Sequence, residues 1–269
     1  MMRDFKVEYL ITLFALSVLV ALAWYYLYMM ASYTPMSMNM ENKNPMTMSM
    51  DGTNTINFLM MPMTGEWGIN DFIVMFVMWL IMMIAMMLPS TFIFLNIFRM
   101  MRSNMKSVSS PIIEMLIITL SYFVVWAVFS LIACTFQYFL HNNGVVDMMG
   151  TFQNKFIAGI LLIGAGLFQF SSLKNACLEK CRNPLSFIMG RKIRGYTDVT
   201  YLGLQHGIFC LGCCWLLMLL LFVNGVMNLL WVVAITAIVL IEKMLPFEQL
   251  SSRFLGFLLV GWGSYLIII

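Results

Sequence analysis

The chain has 269 residues, of which 62% are apolar and only 10% charged, and its mean hydropathy is +0.90. A soluble domain carries about 25% charged residues, so this composition excludes a water-facing surface all round and predicts a polytopic helical protein whose partner is the lipid bilayer. The formal net charge of +3 is too small and too scattered to support nucleic-acid binding.

Taken in chain order, the first apolar run covers roughly Tyr9 to Met30. Arg3 and Lys6 precede it, and no small-residue cleavage site follows. It reads as a retained membrane helix rather than a signal peptide. Residues 31–70 are polar, with Pro35, Pro45, Pro62, Gly52 and Gly65, and follow neither a helical nor a strand period, which predicts an irregular loop. Further spans are expected at about Asp71–Phe98, with a kink or break at Pro89, then at Ile112–Tyr138, Phe156–Ser172, Tyr201–Val223, Val226–Ile241 and Phe254–Ile269. A tight turn at Asn224-Gly225 joins the fifth and sixth. The fold expected is all-α, a transmembrane bundle of about seven spans. It divides into a first helix (1–30), a Met-rich outer loop (31–70) and a six-helix membrane domain (71–269) with a basic loop at 173–200.

Charge orients these spans. Cytosolic loops of membrane proteins are enriched in Lys and Arg. With the N-terminus in the cytosol and the C-terminus outside, only Lys43 and Lys155 of the 15 Lys and Arg fall on the outer side. The Met-rich loop is then extracytoplasmic, the basic loop cytosolic, and the compartment the inner (cytoplasmic) membrane.

Sulfur is distributed unusually. There are 29 Met. Within the outer loop, Pro35 is followed by Met36, Met38 and Met40, Pro45 by Met46, Met48 and Met50, and Met60, Met61 and Met63 surround Pro62. Met as apolar filler suits a span but not a loop rich in Asn, Ser and Thr. Thioethers are soft, uncharged ligands that select Cu(I) over Zn, Mg or Ca, and alternate residues of an extended chain point the same way. In the second span, Met75, Met78, Met82 and Met86 are spaced 3, 4 and 4 and share a helical face. This stripe reads either as packing, since Met fills gaps well, or as a route for a soft ion.

Of the six cysteines, Cys134 stands alone in the third span, as a small buried hydrophobe would. The other five are clustered. Cys177 and Cys181 are one helical turn apart, and His206, Cys210, Cys213 and Cys214 fall on one face of the fifth span. Ionisable groups are costly in a membrane, so this cluster predicts a metal or redox site on the cytosolic side. Cys177, Cys181, His206 and Cys210 would suit Zn(II) as a closed tetrahedral set, and two or three of them would suit Cu(I). Cys213 and Cys214 would form a deeper station. Lys174, Lys180 and Arg182 would favour thiolates. Glu242-Lys243, at the cytosolic end of the sixth span, reads first as a solvated pair, with pairing to the basic loop or Glu242 facing the thiol site as the alternatives. A disulfide between Cys213 and Cys214 is disfavoured, because adjacent Cα atoms lie about 3.8 Å apart and bridges usually need about 4.4–6.8 Å.

These residues resemble a known family. The stretches Met78-Trp79 to Ala85-Met86-Met87-Leu88-Pro89, Leu173-Lys174-x-x-Cys177-Leu178-x-x-Cys181-Arg182-x-Pro184-Leu185 and Gly203-x-x-His206-Gly207-x-x-Cys210-x-Gly212-Cys213-Cys214-Trp215-x-x-Met218, with Glu242-Lys243 downstream, are similar to an uncharacterised prokaryotic family of predicted metal-binding integral membrane proteins. The resemblance implies metal binding and a membrane location. The reading is therefore of Cu(I) captured by the outer loop and passed to the Cys/His cluster, for import or for delivery to a membrane metalloenzyme, with a periplasmic copper carrier as a further partner. Two alternatives stay open: a membrane thiol oxidoreductase or electron carrier, and a non-catalytic assembly subunit of a metalloenzyme complex. No ATPase loop or phosphorylation motif is present, and the pattern favours a carrier over an enzyme.

Overall fold

The computed structural model describes residues 2–40, 68–103, 111–147, 149–189, 191, 193–244 and 250–269. Among them the regular elements are helices, with a single isolated bridge between Val146 and Phe152. We number them α1 (Met2–Met40), α2 (Ile69–Ser103), α3 (Pro111–Asn142), α4 (Lys155–Phe168), α5 (Ser172–Arg182), α6 (Pro184–Met189), α7 (Tyr196–Leu219), α8 (Leu221–Asn224), α9 (Leu229–Met244) and α10 (Leu250–Ile268). The expected all-α polytopic bundle is what the chain forms.

Among the described residues, five segments are long and apolar enough to cross a membrane: Ile11–Ser32, Ile69–Arg102, Ile112–Asn142, Tyr196–Asn224 and Leu250–Ile268. The pair α4 and α5, bent by 64°, makes a sixth if it is one span. The 16 residues of α9 are as apolar as the rest but shorter than the roughly 20 that cross hydrocarbon unaided.

Several boundaries differ from those the pattern predicts. Pro89 lies inside α2 and does not end it. Two residues before it, the Met87 carbonyl accepts hydrogen bonds from the hydroxyls of Ser90, Thr91 and Tyr122. α1 continues through Pro35 to Met40, past the expected loop boundary at residue 31. Met is a good helix former, and one proline removes only one ladder bond. The segment 173–200 is not a loop but two short helices and the start of α7. The turn after α8 is as expected: Gly225 has φ +91°, where a side chain would be strained.

The bundle is drawn together at glycines. A Cβ at Gly203 of α7 would lie 2.7 Å from the Ile118 carbonyl oxygen of α3, and one at Gly207 would lie 2.9 Å from the Val125 side chain. On the other side, a Cβ at Gly263 of α10 would meet the Gly159 carbonyl oxygen of α4 at 2.7 Å. Such small-residue contacts let membrane helices meet backbone to backbone. At the end of α2, Arg102 donates to both carboxylate oxygens of buried Glu114 in α3, closing the α2–α3 hairpin.

Because the Gly203 contact is with backbone, Gly203→Ala must push α3 from α7. We expect it to lower stability by about 1–3 kcal/mol in a mild-detergent unfolding titration. Gly164→Ala, where a Cβ meets nothing within 4 Å, should leave the transition in place or raise it.

Candidate metal centre

The site is assembled by a bend. α4 ends at Phe168, and Ser171 caps α5 by accepting from the Lys174 amide at 3.1 Å. Lys174 is fully buried, and its ammonium donates to both oxygens of Glu242 in α9, at 2.6 and 2.8 Å, and to the amide oxygen of Gln169 at the bend. Arg182, at the other end of α5, donates from Nε to the Glu242 carbonyl oxygen at 2.7 Å. Both ends of α5 are thus tied to one residue of α9. Lys174 is therefore committed to Glu242 and Gln169 rather than to the thiols, and Glu242 pairs with the basic segment instead of standing as half of a solvated pair.

Held this way, α5 turns its cysteines onto α7. A Cβ at Gly212 would lie 2.8 Å from the Cys177 Sγ, so glycine makes room for that thiol. The Cys181 thiol is a neighbour of the Cys210 and Cys213 thiols. Cys213 and Cys214 each donate from Sγ to the Cys210 carbonyl oxygen, at 3.0 and 2.9 Å. Cys177, Cys210, Cys213 and Cys214 are buried, and Cys181 is half-buried. All five thiols of the cluster are free.

Two further groups close on Cys210. The Lys243 ammonium of α9 lies 2.9 Å from its Sγ, 3.2 Å from Ser90 Oγ and 3.9 Å from Met87 Sδ. The Tyr122 hydroxyl of α3 lies 3.0 Å from the same sulfur. Helices α3 and α9 thus reach this thiol directly, and α2 is joined to it through Lys243. Met87, one position beyond the four stripe residues, lies beside the Lys243 ammonium.

The four residues expected to share an ion do not surround one point. His206 stacks on Phe94 with ring centroids 4.0 Å apart, and on Tyr122 at 5.3 Å. It is buried, and its Nε2 has no hydrogen-bond partner among the described residues. Among those residues no three His, Cys, Asp or Glu side chains are placed to hold a metal together. Cys181 of α5 neighbours Cys210 and Cys213 of α7, Cys177 packs on α7 at Gly212, and the His206 ring is taken by Phe94 and Tyr122.

Met75, Met78, Met82 and Met86 are all buried in the bundle, as are Met83 and Met87. Cys134 is a buried hydrophobe whose Sγ is 3.6 Å from the Phe72 carbonyl oxygen. Met36, Met38 and Met40 fall on the C-terminal stretch of α1, where the alternation of an extended strand does not apply. Met46, Met48, Met50, Met60, Met61 and Met63 lie outside the described residues. Tyr122 and Gln169 were not singled out in the sequence, Lys243 was read there only with Glu242 at the end of its span, and Met87 only within the family stretch. The signal for Lys243 was a charged residue closing an apolar helix. For Tyr122 it was a hydroxyl in mid-span, which needs a partner there.

The fold is that of a polytopic helical membrane protein with a cluster of thiols buried in its bundle. A family model described as a copper chaperone (PpoB2) matches residues 76–266, more than two thirds of the chain. The chain belongs to this copper chaperone family, and its role is in handling copper. No curated protein and no solved structure matches it.

The buried ion pair is testable by a double-mutant cycle. Glu242→Leu or Lys174→Met alone leaves one buried group unpaired and should cost about 3–5 kcal/mol, whereas the double variant Lys174→Met/Glu242→Leu should recover most of that loss. Unfolding in detergent with tryptophan fluorescence as the readout measures both. Additive losses would show that the two residues do not act as a pair.

Proposed function

We propose that this protein is a membrane-embedded Cu(I) chaperone whose acceptor station is the thiol set Cys181, Cys210 and Cys213. The observation that carries the reading is that thiols from two different helices, α5 and α7, meet inside the bundle of a copper chaperone family member. Cu(I) is satisfied by two or three soft sulfur ligands, so a pair of thiols bridging the two helices suffices. A closed Zn(II) site would need four, and His206 stands apart from the thiols. Cys177 and Cys214 can exchange places with the primary ligands as the ion moves.

The low-dielectric setting supports a monovalent ion. A lone cation in the bundle pays a large desolvation penalty, whereas Cu(I) on thiolates travels with its charge compensated. Ligation replaces a sulfur-bound proton. Lys243 puts a positive charge at 2.9 Å from Cys210, where an arriving cation would repel it, and Ser90 Oγ at 3.2 Å offers the ammonium a second partner. Lys243 thus acts as a positioning residue that yields to copper.

Supply comes from the outer side. The Met-rich loop collects Cu(I) with thioethers, the buried Met face of α2 leads inward, and the stronger thiolate ligands take the ion at its inner end, next to Met87. Ligand strength rises along this path, so transfer runs inward, either into the cytosol or to a membrane metalloenzyme. A thiol oxidoreductase is less well supported, since the family model that matches the chain is that of a copper chaperone.

Cys181→Ser/Cys210→Ser/Cys213→Ser should weaken Cu(I) binding roughly 100-fold or more in a chelator competition on the full chain in nanodiscs. Cys134→Ser should not change it. Equal affinity in the two variants would remove the thiol station.

A further inference from the structure

Between α1, α2 and the segment that opens α9 lies a cavity of about 10 Å³, and four of the residues lining it are methionines: Met30, Met78, Met82 and Met227. They come from three separate parts of the chain. Met30 is on the outer half of α1, Met78 and Met82 are one turn apart on α2 and buried, and Met227 lies in the turn just before α9. The other lining residues, Leu27 and Val232 among them, carry hydrocarbon side chains.

This space is about the size of one water-sized probe, and a water held in it would need two or more polar partners. The lining side chains offer none of the oxygen or nitrogen donors that would hold water, Na(I), Mg(II) or Zn(II). They do offer four thioether sulfurs, the ligand type that selects Cu(I). Simple packing explains one Met at a gap, because its flexible chain fills irregular space. It does not explain four Met from three segments around a gap that they leave open.

We propose that Met30, Met78, Met82 and Met227 form a thioether site for one Cu(I), taking Ag(I) equally, at the outer half of the bundle. It lies between the Met-rich loop and the thiol station. Met82 and Met87 are five residues apart on α2, roughly 7–8 Å along the axis at 1.5 Å per residue. The ion then has one intermediate stop, uncharged and weaker than thiolate, before Cys210. Its place on a route rests on the chaperone reading above; its capacity to bind does not.

The test is the number of Cu(I) and Ag(I) ions retained by the full chain in nanodiscs against a graded soft-metal chelator. Met→Leu nearly conserves volume, so packing should survive. Met78→Leu/Met82→Leu should lose about one ion per chain, whereas Met75→Leu/Met86→Leu, on the same stripe but away from the cavity, should lose none. If the first variant melts well below wild type, Met30→Leu/Met227→Leu replaces it, with the same loss expected. Retention of the full count in the cavity variants, or an equal loss in Met75→Leu/Met86→Leu, overturns the proposal. The triple Cys→Ser variant reports separately on the thiol station: if it alone keeps its copper while the cavity variants lose theirs, the station fails and the thioether site stands.

Discussion

An ion pair buried in a hydrocarbon bundle decides where α5 lies, and the position of α5 decides what the cysteines can do. Lys174 and Glu242 are almost without solvent, so each needs the other. An unpaired charge there would be worth several kcal/mol of instability. The Gln169 amide completes the ammonium's hydrogen bonds at the bend, and Arg182 ties the far end of α5 to the same residue of α9. Without this clamp α5 would be a short amphipathic helix free to lie on the membrane surface, with Cys181 away from Cys210. The sulfur site is in this sense a product of electrostatics.

The same logic explains why the site draws on five helices. A thiol cluster in a low-dielectric interior must be supplied with hydrogen-bond partners and with charge. Cys213 and Cys214 use the Cys210 carbonyl oxygen, Tyr122 reaches Cys210 from α3, and Lys243 reaches it from α9. Met87 stands next to Lys243 at the end of the buried Met face. Neutral thioether donors and ionisable thiol donors therefore meet at one place. That junction is where a soft monovalent cation would change ligands without passing through an environment it cannot tolerate.

Much of this was legible in the residues. The spans follow from apolar length. The burial of Met75, Met78, Met82 and Met86 follows from 3.6-residue periodicity, and the convergence of α5 and α7 thiols was foreshadowed by five Cys within 38 residues of chain. The spacing did not reveal which charges pair. Lys174 counts as a loop residue in any tally of basic positions, because only the bend after Phe168 folds it inward against Glu242. His206 shares a helix face with Cys210, yet the stacking surface of Phe94 from α2 and Tyr122 from α3 takes its ring. Those are tertiary facts about other helices. The extension of α1 to Met40 was missed because Pro35 reads as a breaker when only its neighbours in sequence are considered.

The most direct measurement is a map of thiol reactivity on the full-length protein in lipid, with a small membrane-permeant maleimide and mass spectrometry, before and after one equivalent of Cu(I). The account predicts that Cys181, Cys210 and Cys213 become protected together while Cys134 reacts as before. Unchanged reactivity of those three thiols, or protection of Cys134 to the same degree, would contradict it.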